Sequence, residues 1–199
     1  MSATEVAAQP SGRTAGRLQT VVVIAVVAVV IGVAAILISG GGETDGVTQV
    51  DLGSGAAAAA PLVGSLPPAF SGVTYDGKAV SLADYAGKPV WLTFGASWCP
   101  DCRNESADVQ AAWEANKDKG LQVLGVFISE PAGDIAGYAK RAGLTFPITV
   151  DQNEAVAAAY RTMGIPTHFF IGADGKIRQV RIGALSREDM DKAIAGILD

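Results

Sequence analysis

The sequence predicts an α/β domain whose sheet is mostly parallel, covered by helices on both faces, and extended at one edge by an antiparallel hairpin. Three observations indicate this class. Short apolar runs alternate with helical patterns, two late runs flank an Asp174-Gly175 turn, and a Cys-x-x-Cys directly follows a buried run. Alternating strands and helices imply parallel strands joined by crossover helices. The cysteines are then expected at the carboxyl end of a central strand, where α/β sheets place their active sites.

Turn and capping residues set the boundaries of these elements. An Asp76-Gly77 dipeptide predicts a hairpin turn, while Gly87, Gly120 and Gly143 each follow the end of a helical pattern. In chain order we predict a hairpin over residues 74–80, a helical turn over 81–85, a strand over 90–94, a helix over 99–119, a strand over 121–128, a helix over 134–142, a strand over 146–150, a helix over 153–160, strands over 167–171 and 177–182, and a helix over 186–198 capped by Ser186 and Asp189.

The Cys-x-x-Cys motif carries the clearest chemistry. Cys99 and Cys102 are the only cysteines in the chain, and they join the apolar run of residues 90–94 to a predicted helix. The first sulfur is placed at the positive end of the helix dipole, where a thiolate is stabilised. The second lies one turn on, close enough to attack a mixed disulfide. This arrangement predicts reversible dithiol/disulfide chemistry.

Metal binding is the alternative for two cysteines at this spacing. Structural zinc needs four ligands, whereas the chain contains two cysteines and one histidine, His168. Copper delivery by Cys99, Cys102 and His168 stays open, because copper accepts thiol and imidazole ligands. We favour a His168 that is packed or hydrogen-bonded within its strand, and we expect neither a metal nor a cofactor.

Pro166 directly precedes the predicted strand over residues 167–171. Proline cannot donate a ladder hydrogen bond, so it marks the beginning of a strand or an edge. A cis Ile165–Pro166 bond would turn the backbone of Ile165 toward the dithiol, where it can pair with an extended substrate. Composition and spacing do not distinguish a cis from a trans bond, since most X–Pro bonds are trans.

The first sixty residues differ in composition from the rest. Residues 21–38 carry no charged or strongly polar side chain, and as a helix they would span roughly 27 Å, about the thickness of a bilayer core. A cleaved signal peptide is the alternative, but this run exceeds the usual apolar region and no clear cleavage site follows it. We therefore predict a cytoplasmic tail over residues 1–19, a transmembrane anchor over 20–38, a flexible linker over 39–61 and a folded domain over 62–199.

Charges beside the apolar run predict its orientation. Arg13 and Arg17 precede it, whereas Glu43, Asp45 and Asp51 follow it. The positive-inside rule then places the N-terminus in the cytoplasm and the cysteines outside a single-pass cell-membrane protein. The net charge of −5, without a lysine/arginine stripe, argues against a nucleic-acid partner.

Two separated motifs carry a family resemblance. They are residues 84–90 with 94–105 (DYAGKPV and FGASWCPDCRNE), and residues 164–171 (GIPTHFFI) with the Asp174-Gly175-Lys176 turn. Together they resemble the membrane-tethered thioredoxin-like proteins of the TlpA/ResA type, in the redoxin/AhpC-TSA superfamily. The likeness covers about residues 62–199. It implies a thioredoxin fold with a central mixed sheet, an N-terminal hairpin and an inserted strand–helix element over residues 121–142.

The resemblance also implies roles for single residues. Cys99 corresponds to the nucleophile of the family and Cys102 to the resolving thiol. Glu105 matches an acidic residue that lies beside the dithiol in ResA-like proteins, although an exposed first-turn glutamate is the alternative. The substrate-binding residues implied are Trp98, Pro100, Ile165 and Pro166, with Pro166 as the cis-proline.

Three positions depart from the family pattern. Thr93 stands where thioredoxin has a buried aspartate, so that proton route is missing. Gly95 replaces a tryptophan found in many relatives, and Ala107 replaces a proline that kinks the helix. None of these departures removes the dithiol chemistry, but each can change its potential or its partners.

Charge beside the motif favours one direction of exchange. Asp101 and Glu105 oppose a negative thiolate, and Arg103 offsets part of this repulsion. A strong oxidant stabilises its reduced form, so the balance favours a reductant.

We therefore expect an extracytoplasmic thiol:disulfide oxidoreductase that reduces disulfides in envelope proteins and exchanges electrons with a membrane thiol protein. The resemblance extends its substrates to apocytochrome c. A disulfide-forming oxidase of the same fold is the close alternative. A peroxiredoxin-like peroxidase is less favoured, because the chain has no separate peroxidatic cysteine.

Overall fold

The computed structural model describes Val26, residues 50–52 and residues 61–198. Val26 is helical, and no helix among the described residues is long and apolar enough to cross a membrane. The predicted tail, most of the predicted anchor and most of the predicted linker lie outside the described residues.

A mixed five-stranded sheet forms the centre of the domain. In chain order, the strands of the domain are β1 (Ser71–Val73), β2 (Ala79–Ser81), β3 (Val90–Gly95), β4 (Gln122–Ile128), β5 (Ile148–Asp151), β6 (Thr167–Ile171) and β7 (Ile177–Ile182). The order within the central sheet is β5-β4-β3-β6-β7, with β3, β4 and β5 parallel, and with β6 and β7 antiparallel to their neighbours. A separate hairpin of β1 and β2 precedes this sheet.

Within residues 61–198, four α-helices and two short 3-10 segments connect or follow these strands. The helices are α1 (Pro100–Asn116), α2 (Ala132–Ala142), α3 (Ala155–Ala159) and α4 (Arg187–Leu198), with 3-10 turns at Leu82–Tyr85 and Lys117–Lys119. The mixed sheet, the N-terminal hairpin and the inserted β4–α2 element confirm the predicted thioredoxin-like α/β fold. The transmembrane helix predicted to precede this fold stays a prediction.

Alternation along β3 divides the core between the two faces of the sheet. Trp91 belongs to the cluster that α1, α2 and α4 cover, whereas Leu92 and Phe94 belong to the cluster that α3 and the N-terminal segment cover. All six β3 residues are buried because this strand is central and covered on both sides. The side chains of Trp91 and Thr93 therefore share the face on which α1 packs.

The N-terminal hairpin extends the fold beside β5. The Tyr75 N–H donates to the Ile148 carbonyl at 3.1 Å, and Thr74 forms an isolated bridge with Thr149. Asp51 in turn pairs with Ser71, with N–H···O distances of 3.0 and 2.8 Å. Three residues of the segment predicted as linker, 50–52, thus pair or pack with the domain.

The helix α3, predicted over residues 153–160, is shorter in the structure and is formed by Ala155–Ala159. Glu154 has a left-handed backbone with φ of 57°, so it cannot extend the helix. The buried carboxylate of Asp151 accepts hydrogen bonds from the Val156 and Ala157 N–H groups, at 3.1 and 2.9 Å. This carboxylate, placed at the end of β5, fixes where the helix begins.

Candidate redox site

Cys99 lies at the junction of β3 and α1. It is the N-cap residue of α1, with extended backbone angles (φ −80°, ψ 119°), and Pro100 occupies the first turn. The Cys102 N–H points at Cys99 Sγ at 3.2 Å. The first sulfur therefore receives both the field of the helix N-terminus and a direct backbone donor, which together stabilise a thiolate.

The two cysteines are joined in a disulfide, with Cα atoms 5.3 Å apart. Cys99 is 4% exposed and Cys102 is 7% exposed. Around this buried pair, Trp98 is 55% exposed and Pro100 is also exposed. These two exposed side chains adjoin the buried Cys99 in the chain.

The segment before β6 packs directly against the disulfide. The Ile165–Pro166 bond is cis. The Ile165 carbonyl oxygen lies 3.9 Å from Cys99 Sγ, and the Ile165 side chain contacts the cluster of Ala96 and the two cysteines. The prediction that the Ile165 backbone turns toward the dithiol is confirmed.

Glu105 is buried on the inner face of α1, one turn beyond Cys102. It is 5% exposed. Its Oε2 accepts a hydrogen bond from the Leu185 N–H at 3.0 Å, and its Oε1 lies 3.4 Å from His168 Nε2. Cys102, Thr93 and Glu105 line one small cavity of about 20 Å³, enough for a single water molecule.

The comparisons with known proteins agree with this geometry. The model of the AhpC/TSA family matches residues 63–180, which is more than half of the chain. The chain belongs to the AhpC/TSA family.

Named relatives narrow the assignment within that family. Thiol-disulfide oxidoreductase ResA of Geobacillus kaustophilus is 34% identical over 135 residues, covering 68% of this chain and 78% of that protein. ResA of Bacillus subtilis is 30% identical over 123 residues, covering 62% of this chain and 69% of that protein. The solved structure of a thiol:disulfide interchange protein from Chlorobium tepidum is 32% identical, with a TM-score of 0.64, and covers 70% of this chain and 100% of its own. The protein is a thioredoxin-like thiol-disulfide oxidoreductase.

Most of the predicted site residues meet at one place. Trp98, Cys99, Pro100 and Cys102 lie at the start of α1, and Ile165 and Pro166 lie beside them. Asp101 is exposed in the first turn of α1.

The structure shows which of the two predicted environments Glu105 occupies. The alternative of an exposed first-turn glutamate is wrong, because Glu105 lies in the buried stripe of α1, which includes residues 102, 105, 106, 109 and 112.

His168 adopts the packed and hydrogen-bonded state that we favoured. It is fully buried on β6, and its Nδ1 lies 3.2 Å from Trp91 Nε1 and 3.0 Å from Thr93 Oγ1. Across the described residues, no three His, Cys, Asp or Glu side chains form a group able to hold a metal ion. The structure thus gives no support to the copper site of Cys99, Cys102 and His168.

Glu130 is a site residue that sequence reasoning missed. It follows β4, is buried, and accepts a hydrogen bond from the Ser97 N–H at 2.6 Å through Oε1 and another from the Ser97 hydroxyl through Oε2. Ser97 belongs to the loop between β3 and Cys99, so this carboxylate holds the loop that leads into Cys99. A glutamate before a proline at the end of a buried strand was the only available signal.

The pKa of Glu130 makes a test of this contact possible. Burial raises the pKa of this carboxyl above its ordinary value of 4.5, and the Ser97 hydrogen bonds oppose that rise only in part. A raised folded-state pKa means that the folded protein binds the proton more tightly than the unfolded chain. Stability from this group is therefore fully present below pH 4.5 and lost as pH rises through the folded pKa.

We expect urea unfolding to show this loss in the wild type and not in Glu130→Gln. The variant keeps an oxygen acceptor for Ser97 but has no charge to bury. The quantity to compare is the free energy of unfolding of the two proteins between roughly pH 4 and 8. Asp151, whose pKa burial also raises, is present in both proteins and cancels in the difference. Parallel curves for the two proteins would contradict the prediction.

Proposed function

We propose that the protein is an extracytoplasmic, membrane-anchored reductase of protein disulfides that works by exchange at Cys99 and Cys102. The observation that carries the exchange is the position of Cys99. Its sulfur caps α1, lies 3.2 Å from the Cys102 N–H, and sits 3.9 Å from the Ile165 carbonyl. The sulfur proposed to attack, the cysteine proposed to resolve the mixed disulfide and the backbone proposed to pair with substrate therefore lie next to one another.

The proposed reaction starts from the reduced dithiol. The Cys99 thiolate attacks one sulfur of a substrate disulfide, so that a mixed disulfide forms and the other substrate sulfur leaves as a thiolate. The Cys102 thiolate then attacks Cys99 Sγ, which forms the Cys99–Cys102 disulfide and releases the second substrate sulfur. Two electrons pass from the dithiol to the substrate, whose sulfurs take up two protons. A membrane thiol protein restores the dithiol.

The surface around the site suits an extended protein segment rather than a small molecule. Trp98 and Met163 are large, exposed apolar side chains on the two chain segments that carry Cys99 and Ile165. Exposed apolar residues beside free backbone groups are typical of peptide-binding surfaces. Protein disulfides are therefore the proposed substrates, and apocytochrome c is one candidate from the family resemblance.

Charge supports reduction over oxidation. Glu105 is buried beside Cys102, so little water screens its negative charge, whereas Arg103 is exposed and screened. The carboxylate therefore raises the free energy of a thiolate more than the guanidinium lowers it. A dithiol whose reduced form is disfavoured is a better reductant.

The reduction potential of the Cys99–Cys102 pair tests the direction. We expect equilibration with glutathione and dithiothreitol buffers to give a value nearer to thioredoxin, at about −270 mV, than to the oxidant DsbA, at about −120 mV. The Cys102 N–H stabilises a Cys99 thiolate and so makes the pair more oxidising, whereas the Glu105 charge makes it more reducing. The measured potential shows which of the two effects is larger. A potential near that of DsbA overturns the reductant proposal in favour of the disulfide-forming alternative.

A reporter fused to the C-terminus tests the proposed location. Arginines before the apolar run and acidic residues after it support an outside position for the domain. We expect an alkaline phosphatase fusion, which is active only outside the cytoplasm, to be active and to sediment with membranes. An active fusion found in the soluble fraction would show cleavage of the segment, and an inactive one would show a cytoplasmic domain.

A further inference from the structure

The hydrogen bonds of His168 fix which of its ring nitrogens carries the proton. Trp91 Nε1 carries a hydrogen and can only donate, so His168 Nδ1, 3.2 Å away, must accept. Thr93 Oγ1 lies 3.0 Å from the same nitrogen. Nδ1 therefore has no proton of its own, and the neutral imidazole carries its hydrogen on Nε2.

His168 Nε2 lies beside the Glu105 carboxylate. Glu105 Oε1 lies 3.4 Å from His168 Nε2, a close contact that lacks hydrogen-bond alignment, and among the described residues Nε2 has no other partner. The Leu185 N–H donates to the second carboxylate oxygen at 3.0 Å. The carboxylate thus lies between the His168 ring and the backbone N–H of Leu185.

We propose that His168, with its tautomer fixed by Trp91, is a positioning residue that holds the Glu105 carboxylate in the cavity it shares with Cys102. This inference rests on the proposed exchange at Cys99 and Cys102. When Cys102 attacks the mixed disulfide it must lose its thiol proton, and a carboxylate held in the same cavity of about 20 Å³ accepts it directly or through one water.

The strand register also brings a second charged residue near His168. From β7, Arg181 lies opposite His168 in the strand register, but it is exposed to water and adjoins Asp189. Glu105 is therefore the charged group that His168 faces inside the domain.

The test separates the two steps with dithiobis(nitrobenzoate), an aromatic disulfide that releases a coloured thiolate. Reduced full-length protein releases one equivalent when Cys99 attacks and a second when Cys102 resolves the mixed disulfide. We expect His168→Leu to slow the second phase by about tenfold or more, as loss of a positioned proton acceptor does, and to leave the first phase unchanged.

Two further variants separate positioning from packing. His168→Gln can accept from Trp91 and donate to Glu105, so we expect it to keep the second-phase rate within about threefold. Trp91→Phe keeps a ring in the core but removes the donor that fixes the His168 tautomer, so its second phase should slow as well.

Each outcome bears on one proposal only. If His168→Leu and Trp91→Phe both keep the second-phase rate of the wild type, the role of His168 is overturned. An equal slowing of the second phase in His168→Leu and His168→Gln overturns it as well, because packing alone would then explain the loss. If His168→Leu does not fold, the second-phase rates of Trp91→Phe and His168→Gln are compared instead. A slow Trp91→Phe beside a fast His168→Gln supports the role of His168, and equal rates overturn it. A wild type that gives no second phase, or a Cys99→Ala variant that still gives the first, overturns the exchange itself.

Discussion

Replacing Cys99 by alanine should abolish disulfide exchange, whereas replacing Cys102 by alanine should stop it half-way with the substrate held on Cys99. Cys99 is the sulfur at the helix N-terminus and beside the Ile165 carbonyl, so it is placed to attack. Cys102 lies inside the first turn of α1, where it can reach Cys99 Sγ but has neither the N-cap position nor the contact with the Ile165 carbonyl. We expect loss of insulin reduction by at least about a thousandfold in either variant, since no other thiol is present to take over.

The two variants differ in what they retain. In membranes that contain the full-length protein, Cys102→Ala should accumulate mixed disulfides that dithiothreitol releases and mass spectrometry identifies. Cys99→Ala serves as the matched control, because it has the same number of thiols but lacks the attacking one. If only Cys99→Ala captures partners, the roles of the two cysteines are reversed. The captured proteins would also show whether apocytochrome c is a substrate.

The fold and the dithiol could be predicted from the sequence because the patterns that indicate them are local in the chain. Strand β3 is a continuous apolar run, Gly120 and Gly143 end helical patterns, and the cysteines adjoin in the chain. Residue type and spacing are sufficient for such features, since neighbours in sequence remain neighbours in the fold. The Ile165–Pro166 segment was placed by resemblance, because most X–Pro bonds are trans.

The side chains that surround the dithiol could not be predicted from the sequence in the same way. Trp91 and His168 are 77 residues apart, and they meet only because β3 and β6 pair antiparallel with Thr93 opposite His168. Ser97 and Glu130 meet across 33 residues by a similar route. Strand register and loop geometry decide these contacts, and neither leaves a periodic pattern in the chain.

Glu105 shows why polar core residues are hard to predict. The buried stripe of α1 includes Glu105, Ser106 and Asn116, so hydrophobic periodicity does not reveal it. Its burial depends on partners from the β7–α4 loop and from β6, at Leu185 and His168. A glutamate one turn past a cysteine is compatible with either environment until those partners are known.

Replacing Glu105 by glutamine should slow resolution by Cys102 about a hundredfold and make the dithiol more oxidising. Glutamine has nearly the same shape and still accepts from the Leu185 N–H, so packing is preserved. It cannot take the thiol proton, which slows the second phase of the dithiobis(nitrobenzoate) reaction. It also removes a poorly screened negative charge from beside Cys102, which stabilises the reduced form and moves the reduction potential upward.

Glu114→Gln is the matched control for this substitution. Glu114 lies on the same helix but is exposed and contacts Gln110 and Lys117, so its charge is screened from the dithiol. Its variant should keep both the second-phase rate and the potential of the wild type. Equal behaviour of Glu105→Gln and Glu114→Gln would show that the buried carboxylate has no part in the exchange.

The same cavity offers a second way to supply a carboxylate. Thr93 lines it from β3, at the position where thioredoxin has its buried aspartate. If Glu105 acts by accepting a proton there, Thr93→Asp introduced into Glu105→Gln should recover part of the lost second-phase rate. A recovery without any change in first-phase rate would show that this chain places on α1 the proton acceptor that thioredoxin places on its central strand. No recovery in a folded double variant would mean that Glu105 depends on its position between His168 and Leu185 as well as on its charge.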